Sequence, residues 1–539
     1  MGDDRQLILA HMIRAWVERD PDRKVLTFVD VDDNGQFTDE TRTYSELWEN
    51  GQRIAAALAD EGMEAGDRFA IMIQNHPEFV DAMIGSSIAG TIFVPIDPRT
   101  QGRKLRYMLE FAGCTGLMAS EQALSQVAAV GEGIEGLEWL WTLGEPDNTP
   151  RLPGRLAVRA VAGILDTAPP PPRAVHTDDP TRPMQMLYTS GTTGDPKAIL
   201  SPHARFGTIA SLGSVIGLRE GDRPYTGLSL THANAQLITL GNVLRMGLEG
   251  VFSRRFTKSR LWEITRRYQC TMFNLLGGMT TAIYSEPEHE NDADNPVRYV
   301  LSAGMPAAIW DRFRERFGVE IFEFYGTAEG GLALNPPGAG PVGSIGKPPP
   351  TMVARIVDDE DRECPPGVSG ELIFRNADGT CPPVAYYRNE KASKEKTLGG
   401  WFRTGDICHA DEQGWLYFDY RKGDSIRCNG DFIDPTYVEK EIGEHPDVDD
   451  VFAYGVEAES GVPGESDLIV AVVWRGESVP DADAIYAWCR TRLERNSVPR
   501  YVQFMEEIPK TASEKPMKRF CQQHLSEHPE NVFQERASA

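Results

Sequence analysis

The sequence predicts an α/β protein in which a parallel sheet carries helices on both faces, and three observations support this prediction. The chain has 539 residues, which is too long for one hydrophobic core, so we expect two or more domains. Short apolar runs of strand length alternate with amphipathic stretches of helix length, an order typical of parallel sheets with helical connections. Hydrophobic residues make up 41% of the chain, which is ample for filling such cores.

The N-terminal elements follow from the spacing of apolar residues. Val25–Val29 is a strand candidate, and Tyr44–Leu58 has apolar residues at intervals near 3.6, which predicts an amphipathic helix. Phe69–Ile73 and Thr91–Ile96 have the composition of buried strands, and Asn75–Phe79 opens a helix between them. This strand–helix–strand order predicts neighbouring parallel strands.

The C-terminal part contains the same kinds of element on a smaller scale. We expect strands at Val451–Val456 and Leu468–Val473, and helices at Tyr437–Ile442 and Ala482–Leu493. These elements predict a compact α+β unit.

Composition and charge exclude several classes of partner. The chain has 55 Lys plus Arg against 80 Asp plus Glu, a net charge of −25 that should repel nucleic acid and anionic membrane surfaces. No apolar run approaches the roughly 20 residues of a membrane span, and the N-terminus lacks the apolar region of a signal peptide. The eight cysteines are scattered without a Cys-x-x-Cys pair, which predicts reduced thiols in a cytoplasmic protein.

The stretch from Tyr188 to Ala198 has the chemistry of a phosphate-binding loop. It follows residues 144–183, a charged and proline-rich segment that we expect to be a surface linker. Glycines let successive N–H groups converge on phosphate oxygens, hydroxyls add donors, and Lys197 adds a positive charge. Because Ala198 follows the lysine, the loop is not a Walker A motif. The candidate phosphate-binding residues are Thr189, Ser190, Gly191, Thr192, Thr193, Gly194 and Lys197.

In this order, the eleven residues resemble the phosphate loop of the adenylate-forming enzymes, the superfamily of acyl-CoA synthetases, adenylation domains and luciferases. That loop ends in Pro-Lys-Gly, whereas Ala198 takes the place of the glycine here. Further stretches match in the family's order over nearly the whole chain, among them Gly399–Asp406 and Tyr417–Ile426. The sequence looks most similar to carnitine/crotonobetaine-CoA-ligase-like and fatty-acid-CoA-ligase-like members.

The resemblance implies a nucleotide site. Tyr325 would offer a flat face to adenine, and Asp406 would accept hydrogen bonds from the ribose hydroxyls. Glu329 would bind Mg²⁺ together with Thr189. The family's nucleotide-contacting threonine is Ala328 here, with Thr327 beside it. The implied residues for ATP and AMP outside the phosphate loop are Gly304, Met305, Pro306, Tyr325, Gly326, Thr327, Asp406 and Arg421.

The resemblance also implies an acid-binding pocket. Its residues would be His232, Asn234, Gly277, Gly278, Gly304 and Gly330. The stretches assigned to this pocket contain no basic residue, and their polar exceptions are Asn234, Gln236 and Asn274. This content predicts a medium-to-large, mostly apolar carboxylic acid, and a carnitine-like zwitterion is less favoured.

The family's two-lobe organisation implies the domain boundaries. Residues 1–420 would form a large N-terminal adenylation domain of α/β sheets with helices on both faces, and residues 421–539 a small mobile α+β domain. Lys515 would be the catalytic lysine, although Glu514 stands where the family has a glycine. Gly423 takes the hinge position, where glycine suits a large change in φ and ψ.

The resemblance therefore predicts an ATP-dependent acid–CoA ligase that uses Mg²⁺ and CoA. It would form an acyl-adenylate with release of pyrophosphate, and then an acyl-CoA with release of AMP. One alternative is a stand-alone adenylation enzyme that loads an acid onto a separate carrier protein. Another, suggested by Ala328 and Glu514, is a nucleotide-binding regulatory protein that has lost catalysis. Neither nucleic acid nor a membrane span is expected, and a homodimer is left open.

Overall fold

The computed structural model describes most of the chain. The described residues are 4–32, 34–131, 134–144, 156–189, 196–284, 286–307, 309–358, 360–421, 426–428, 431–433, 435–460, 462, 465–475, 479–509, 516 and 518–535.

These residues form the following elements. The strands are β1 Lys24–Val31, β2 Phe37–Thr43, β3 Arg68–Met72, β4 Ile92–Pro95, β5 Cys114–Ala119, β6 Trp139–Thr142, β7 Ala157–Ala160, β8 Pro183–Thr189, β9 Lys197–Pro202, β10 Pro224–Thr226, β11 Gly250–Ser253, β12 Met272–Leu276, β13 Tyr299–Ala303, β14 Glu320–Gly326, β15 Leu332–Asn335, β16 Met352–Val357, β17 Gly370–Asn376, β18 Phe402–Ala410, β19 Leu416–Arg421, β20 Ile426–Cys428, β21 Asp431–Ile433, β22 Val448–Glu457, β23 Ser466–Trp474, β24 Tyr501–Met505 and β25 Val532–Gln534. The helices are α1 Leu9–Arg19, α2 Tyr44–Asp60, α3 Pro77–Ala89, α4 Gly102–Ala112, α5 Glu121–Gly131, α6 Val161–Leu165, α7 His203–Ala210, α8 Gly241–Met246, α9 Leu261–Arg267, α10 Gly277–Tyr284, α11 Trp310–Phe317, α12 Glu390–Lys396, α13 Pro435–Gly443, α14 Ala482–Arg492 and α15 Lys518–Glu527. A π-helical segment, Asn234–Leu240, precedes α8.

Two large sheets form the body of the protein. The seven-stranded sheet has the order β7-β6-β5-β3-β4-β8-β9, and the eight-stranded sheet has the order β15-β14-β13-β12-β10-β11-β1-β2. Their central strands are parallel, whereas β2, β9 and β15 join as antiparallel strands. Carboxyl ends of parallel strands meet at one edge of a sheet, which is where such folds bind ligands.

A shared layer of helices separates the two sheets. One core joins side chains of both sheets, such as Phe69 and Met272, with residues of α1, α2 and α3. Helices α4 and α5 cover the outer face of the seven-stranded sheet, and α9 and α11 cover that of the eight-stranded sheet. The five layers confirm the predicted α/β class with helices on both faces of a sheet.

Local sequence explains the close packing of the central helices. Helix α2 begins with a capping box, in which the Thr43 side chain and the Glu46 side chain satisfy each other's backbone N–H groups. Gly85 of α3 faces Ile54 of α2 so closely that a Cβ on Gly85 would lie 2.4 Å from Ile54 Cγ2. A side chain at this glycine would therefore push the two helices apart.

Two smaller units complete the fold. An antiparallel sheet, β16-β17-β18-β19, packs against β14 and β15 through residues such as Tyr325 and Phe374. The small C-terminal domain consists of the hairpin β20–β21 and the sheet β22-β23-β24-β25. Its core contains residues of α13 and α14, and α15 contributes Cys521 to a second cluster on the same sheet. This arrangement confirms the predicted small α+β domain.

The predicted elements are present, with one exception. Both C-terminal strands and both C-terminal helices form where the apolar spacing places them. The expectation of a linker over 144–183 is wrong in part, because Ala157–Ala160 pairs with β6 as an edge strand and Val161–Leu165 is helical. Burial of Val161 and Ile164 explains why this piece is ordered despite its proline-rich surroundings. Among the described helices, none is both long and apolar enough to cross a membrane.

Candidate active site

The two large sheets are joined next to the candidate site by one buried side chain. Asn75, which follows β3, donates hydrogen bonds to the carbonyl oxygens of Leu228 and Ser253 and accepts one from the Leu230 N–H. These contacts fix the chain just before the predicted acid-pocket stretch that contains His232. Asn75 therefore links the end of β3 in the seven-stranded sheet to the segment after β10 and the last residue of β11 in the eight-stranded sheet.

The predicted phosphate-binding loop connects two paired strands. β8 and β9 are antiparallel, and their register ends with Thr189 opposite Lys197. The loop residues Ser190, Gly191, Thr192, Thr193 and Gly194 lie outside the described residues. Lys197 points its ammonium group at the face of Tyr386, with Nζ 5.6 Å from the ring centroid. The lysine is thus placed at the exit of the loop against an aromatic ring.

Glu329 is a buried carboxylate with defined partners. Only 6% of the residue is exposed, and its Oε1 accepts a hydrogen bond of 2.7 Å from the Tyr386 hydroxyl. The buried guanidinium of Arg205 on α7 donates to the Glu329 carbonyl oxygen at 2.9 Å. Burial lowers the pKa of Arg205, and the charge of Glu329 opposes that effect. Tyr386 and Arg205 were not predicted from the sequence, because each lies far along the chain from Glu329.

The turn that carries Glu329 is closed by its own residues. The Thr327 hydroxyl donates to the Gly330 carbonyl at 2.8 Å, so Thr327 serves the turn. Gly331 has φ +73°, and a Cβ there would lie 2.8 Å from the Phe374 ring. The side of Gly330 that a Cβ would occupy faces Phe402 and Pro382. Ala328 packs against the core that contains Phe374 and Phe402.

Tyr325 and Asp406 are linked directly. The Tyr325 hydroxyl donates a 2.5 Å hydrogen bond to Asp406 Oδ2, and both residues are buried. Burial raises the pKa of Tyr325, and the negative charge of Asp406 raises it further. The ring stacks on Phe374, with centroids 6.1 Å apart. Asp406 also lies opposite Arg421 in the β18–β19 register, so these two predicted nucleotide-binding residues are neighbours.

A buried glutamate shapes the predicted adenine loop. Gly304 has φ +97°, and its N–H donates to Glu323 Oε1 at 2.5 Å, while the Met305 N–H also reaches this carboxylate. Burial raises the pKa of Glu323 to about 8, although the two backbone hydrogen bonds oppose that shift. Pro306 follows in the same loop, half-buried. Glu323, like Tyr386 and Arg205, was not predicted from the sequence.

The predicted acid pocket is bordered by a buried chain of polar side chains. The Thr239 hydroxyl is 2.7 Å from Asn274 Oδ1, and Asn274 Nδ2 is 2.6 Å from Asn234 Oδ1. Asn234 opens the π-helical segment, a form often found at functional sites. His232 is exposed. Gly277 and Gly278 begin α10 directly after β12, as the strand-breaking pattern predicts.

Helix α4 connects the large domain to the small one through ion pairs. Arg103 Nη1 is 2.6 Å from Glu444 Oε1, and Lys104 Nζ is 2.7 Å from Glu494 Oε1. The Gln101 amide donates to backbone carbonyls at the C-terminal end of α14. We call these contacts the α4 interface.

Charged residues of the hairpin β20–β21 also shift pKa values in the large domain. The hydrogen bond that Arg99 donates to Asp97 raises the pKa of Arg99, and the negative charge of Asp431 in the hairpin raises it further. Arg427, on the other strand of the hairpin, lowers the pKa of Glu323 against the larger effect of burial. Lys515 and Gly423 lie outside the described residues.

The Mg²⁺ that the resemblance implies would depend on few protein groups. In the part of the chain that the structure describes, no group of three or more His, Cys, Asp or Glu side chains could hold a metal ion. A site of that kind is not needed for Mg²⁺, which commonly uses one or two carboxylates together with substrate phosphates and water. Glu329 fits this pattern, because the Tyr386 hydroxyl bonds one carboxylate oxygen, and no hydrogen bond to the other oxygen is found among the residues that the structure describes.

Comparison with known proteins identifies the family. The model of the AMP-binding enzyme family matches residues 13–380, and that of the AMP-binding enzyme C-terminal domain matches residues 437–515. A medium/long-chain-fatty-acid–CoA ligase of Mycobacterium tuberculosis is 29% identical and covers 92% of this chain and 94% of its own. A crotonobetaine/carnitine–CoA ligase of Salmonella paratyphi A is 27% identical and covers 88% and 92%.

Solved structures agree on the fold. A double mutant of o-succinylbenzoate CoA synthetase from Bacillus subtilis, bound to a product analogue, has a TM-score of 0.78 at 23% identity and covers 94% of this chain and 97% of its own. An amide bond synthetase from Marinactinospora thermotolerans has a TM-score of 0.80 at 22% identity and covers 96% and 99%. Since the family model alone spans most of the chain, the protein belongs to the AMP-binding enzymes, the adenylate-forming superfamily.

Proposed function

We propose that this AMP-forming acyl-CoA ligase activates a medium-to-large, mostly apolar carboxylic acid. The observation that carries the proposal is that Tyr386 contacts both Lys197 and Glu329, while Tyr325, in the same core cluster as Tyr386, donates a hydrogen bond to Asp406. A phosphate-binding lysine, a metal-binding carboxylate and a ribose acceptor are the groups that an adenylating site needs.

The chemistry proceeds in two steps. The acid's carboxylate attacks the α-phosphate of ATP, the bond to the β-phosphate breaks, and pyrophosphate leaves. The thiol of CoA then attacks the activated carbonyl, loses its proton, and displaces AMP. Both steps depend mainly on positioning and on charge stabilisation.

Each residue has a role in the first step. Lys197 and the loop before it hold the β- and γ-phosphates, and the loop at Gly304 receives the adenine. Mg²⁺ bound by Glu329, with Thr189, would offset the phosphate charge. Asp406 accepts from the ribose hydroxyls. Lys515 would lie between the carboxylate and the α-phosphate oxygens, where negative charge develops.

The side chains on the segments of the predicted acid pocket support a mostly apolar substrate with a polar group on one side. Ile238, Leu276 and Met279 are half-buried apolar residues on the segments that border the pocket. The two relatives named above act, by their names, on medium/long-chain fatty acids and on crotonobetaine or carnitine. The hydrogen-bonded Asn234 and Asn274 supply the polar part of this wall.

The two domains would move between the steps. We place the boundary at residue 421 and the hinge at Gly423. The hairpin β20–β21 near the site and the α4 interface favour the thioester-forming arrangement. The Bacillus subtilis synthetase matches with a TM-score of 0.78 in its product-analogue complex, against 0.63 in its AMP complex. A ligase that consumes ATP and CoA would work in the cytoplasm.

The first experiment is a product analysis. Purified protein, ATP, Mg²⁺, CoA and a pooled acid library are incubated, and products are identified by mass spectrometry. We expect a new acyl-CoA with an equal amount of AMP. Acyl-adenylate without a CoA ester would favour loading of a carrier protein, and a strongly preferred small polar acid would refute the assigned substrate class.

A pair of variants tests the catalytic lysine. Lys515→Ala should abolish adenylate formation yet leave thioester formation from supplied acyl-adenylate largely intact. Lys518→Ala, which changes a lysine at the start of α15, is the matched control and should behave like the wild type. Equal loss of both half-reactions in Lys515→Ala would contradict the role.

A further inference from the structure

A short segment ties the phosphate loop to the carboxylate of Glu329. The Tyr387 N–H donates to the Ala198 carbonyl at 2.8 Å, and the Leu200 N–H donates to the Ala385 carbonyl at 3.3 Å. Residues 384–389 therefore run beside β9, the strand that begins with Lys197. Any movement of this segment would carry the exit of the phosphate loop with it.

Tyr386 lies at the centre of this segment and makes two contacts, one through its hydroxyl and one through the face of its ring. Its hydroxyl donates to Glu329 Oε1 at 2.7 Å, and its ring faces the Lys197 ammonium at 5.6 Å. Tyr386 is 6% exposed, so both contacts are largely shielded from water. A hydrogen bond to a charged carboxylate is stronger than a neutral one, and a cation over a shielded ring is attracted by it.

We infer that Tyr386 is a positioning residue for the metal–nucleotide site. This inference rests on the proposed role of Glu329. With Oε1 held by the tyrosine hydroxyl, the carboxylate cannot rotate freely, and Oε2 would be the oxygen available to a metal ion. The ring at the same time holds the phosphate-loop lysine at a fixed distance. Hydrogen bonds of this kind to metal ligands commonly change metal affinity by about 10- to 100-fold.

A purely structural tyrosine would behave differently. Tyr386 also packs in the core that contains Phe374 and Phe402, so its removal could simply loosen that core. Tyr386→Phe separates the two roles, because the variant keeps the ring and its packing but lacks the hydroxyl that donates to Glu329. Tyr387→Phe is the matched control, since this neighbouring ring packs edge-on against Phe111, away from Glu329.

The experiment measures nucleotide affinity as a function of Mg²⁺ by calorimetry, with an ATP analogue that cannot be cleaved between the α- and β-phosphates. For Tyr386→Phe we expect the Mg²⁺ concentration for half-maximal tightening to rise about 10-fold. AMP affinity without metal should be unchanged, and Tyr387→Phe should match the wild type. An unchanged Mg²⁺ dependence, or an equal loss of metal-free AMP binding, would overturn the inference.

A double-mutant cycle gives a second test. Glu329→Gln should itself weaken the dependence of nucleotide affinity on Mg²⁺. Adding Tyr386→Phe to this variant should have no further effect on that dependence. Additive effects would overturn the inference, because they would mean that Tyr386 acts independently of Glu329. Neither measurement uses acid or CoA, so a failure to make any acyl-CoA would count against the proposed function alone.

Discussion

Reversing one charge of the α4 interface should slow thioester formation selectively. Lys104 pairs with Glu494 at 2.7 Å, with side-chain exposures of 25% and 32%. Partly exposed pairs contribute about 0.2–1 kcal/mol, and Lys104→Glu replaces attraction by repulsion, so we expect a total change of about 1–2 kcal/mol. That energy lowers the equilibrium constant for the described domain arrangement about 5- to 30-fold, and its population falls by up to that factor.

The assay separates the two half-reactions. Thioester formation is followed in single turnover from supplied acyl-adenylate, and adenylate formation is followed by pyrophosphate release. In Lys104→Glu we expect the rate of thioester formation to fall at low salt by up to this factor, and the rate of adenylate formation not to fall. The difference should shrink at about 0.3 M salt, because screening weakens such pairs.

Two further variants make the test decisive. Adding Glu494→Lys should restore the rate, since the pair is then rebuilt with opposite polarity. Lys391→Glu on α12 is the control, because Lys391 is 89% exposed and pairs within its own helix. Equal slowing of both half-reactions, or no recovery in the double variant, would refute the reasoning.

Three other predictions follow from single residues. Asp406→Asn should raise the dissociation constant of ATP at least about 10-fold in calorimetry, because the ribose loses a charged acceptor. Asn234→Ala should lower the preference for acids with a hydroxyl or keto group over plain acids about 10-fold in competition assays. Burial raises the pKa of Asp81 to about 7, above its unfolded value, so its contribution to stability is lost as the pH rises toward and through 7. Asp81→Asn cannot ionise, and urea unfolding should show its stability relative to the wild type rising by about 2–3 kcal/mol from pH 5 to pH 8.

Local patterns in the sequence were sufficient for the repetitive parts of the fold. Helix α2 follows from its apolar spacing and its capping residues, and β3 and β4 follow from short apolar runs bounded by turns. The small domain was predictable for the same reason. The π-helical segment was not, because its backbone pattern depends on packing against β12 and not on residue spacing.

The site was predictable where motifs are contiguous and not where contacts are long-range. Tyr325 and Asp406 were selected, but their direct hydrogen bond joins residues 81 positions apart. Tyr386 has an ordinary tyrosine context in the sequence, and its importance appears only when residues 384–389 lie beside β9. Glu323 was overlooked because a glutamate in a strand usually faces water, whereas here it is 2% exposed.

The strand order of the eight-stranded sheet has a consequence for synthesis on the ribosome. β1 pairs with β11, so Leu26 finds its partner Gly250 only after roughly 220 more residues have been made. At about 5–20 residues per second, the first strand waits on the order of 10–45 s with an unpaired apolar edge. During that time β1 can pair only with β2 in the N-terminal hairpin. Expression at lower temperature or with added chaperone should therefore improve the yield of folded enzyme. Substitutions that only raise the free energy of unfolding of the folded protein should improve this yield less.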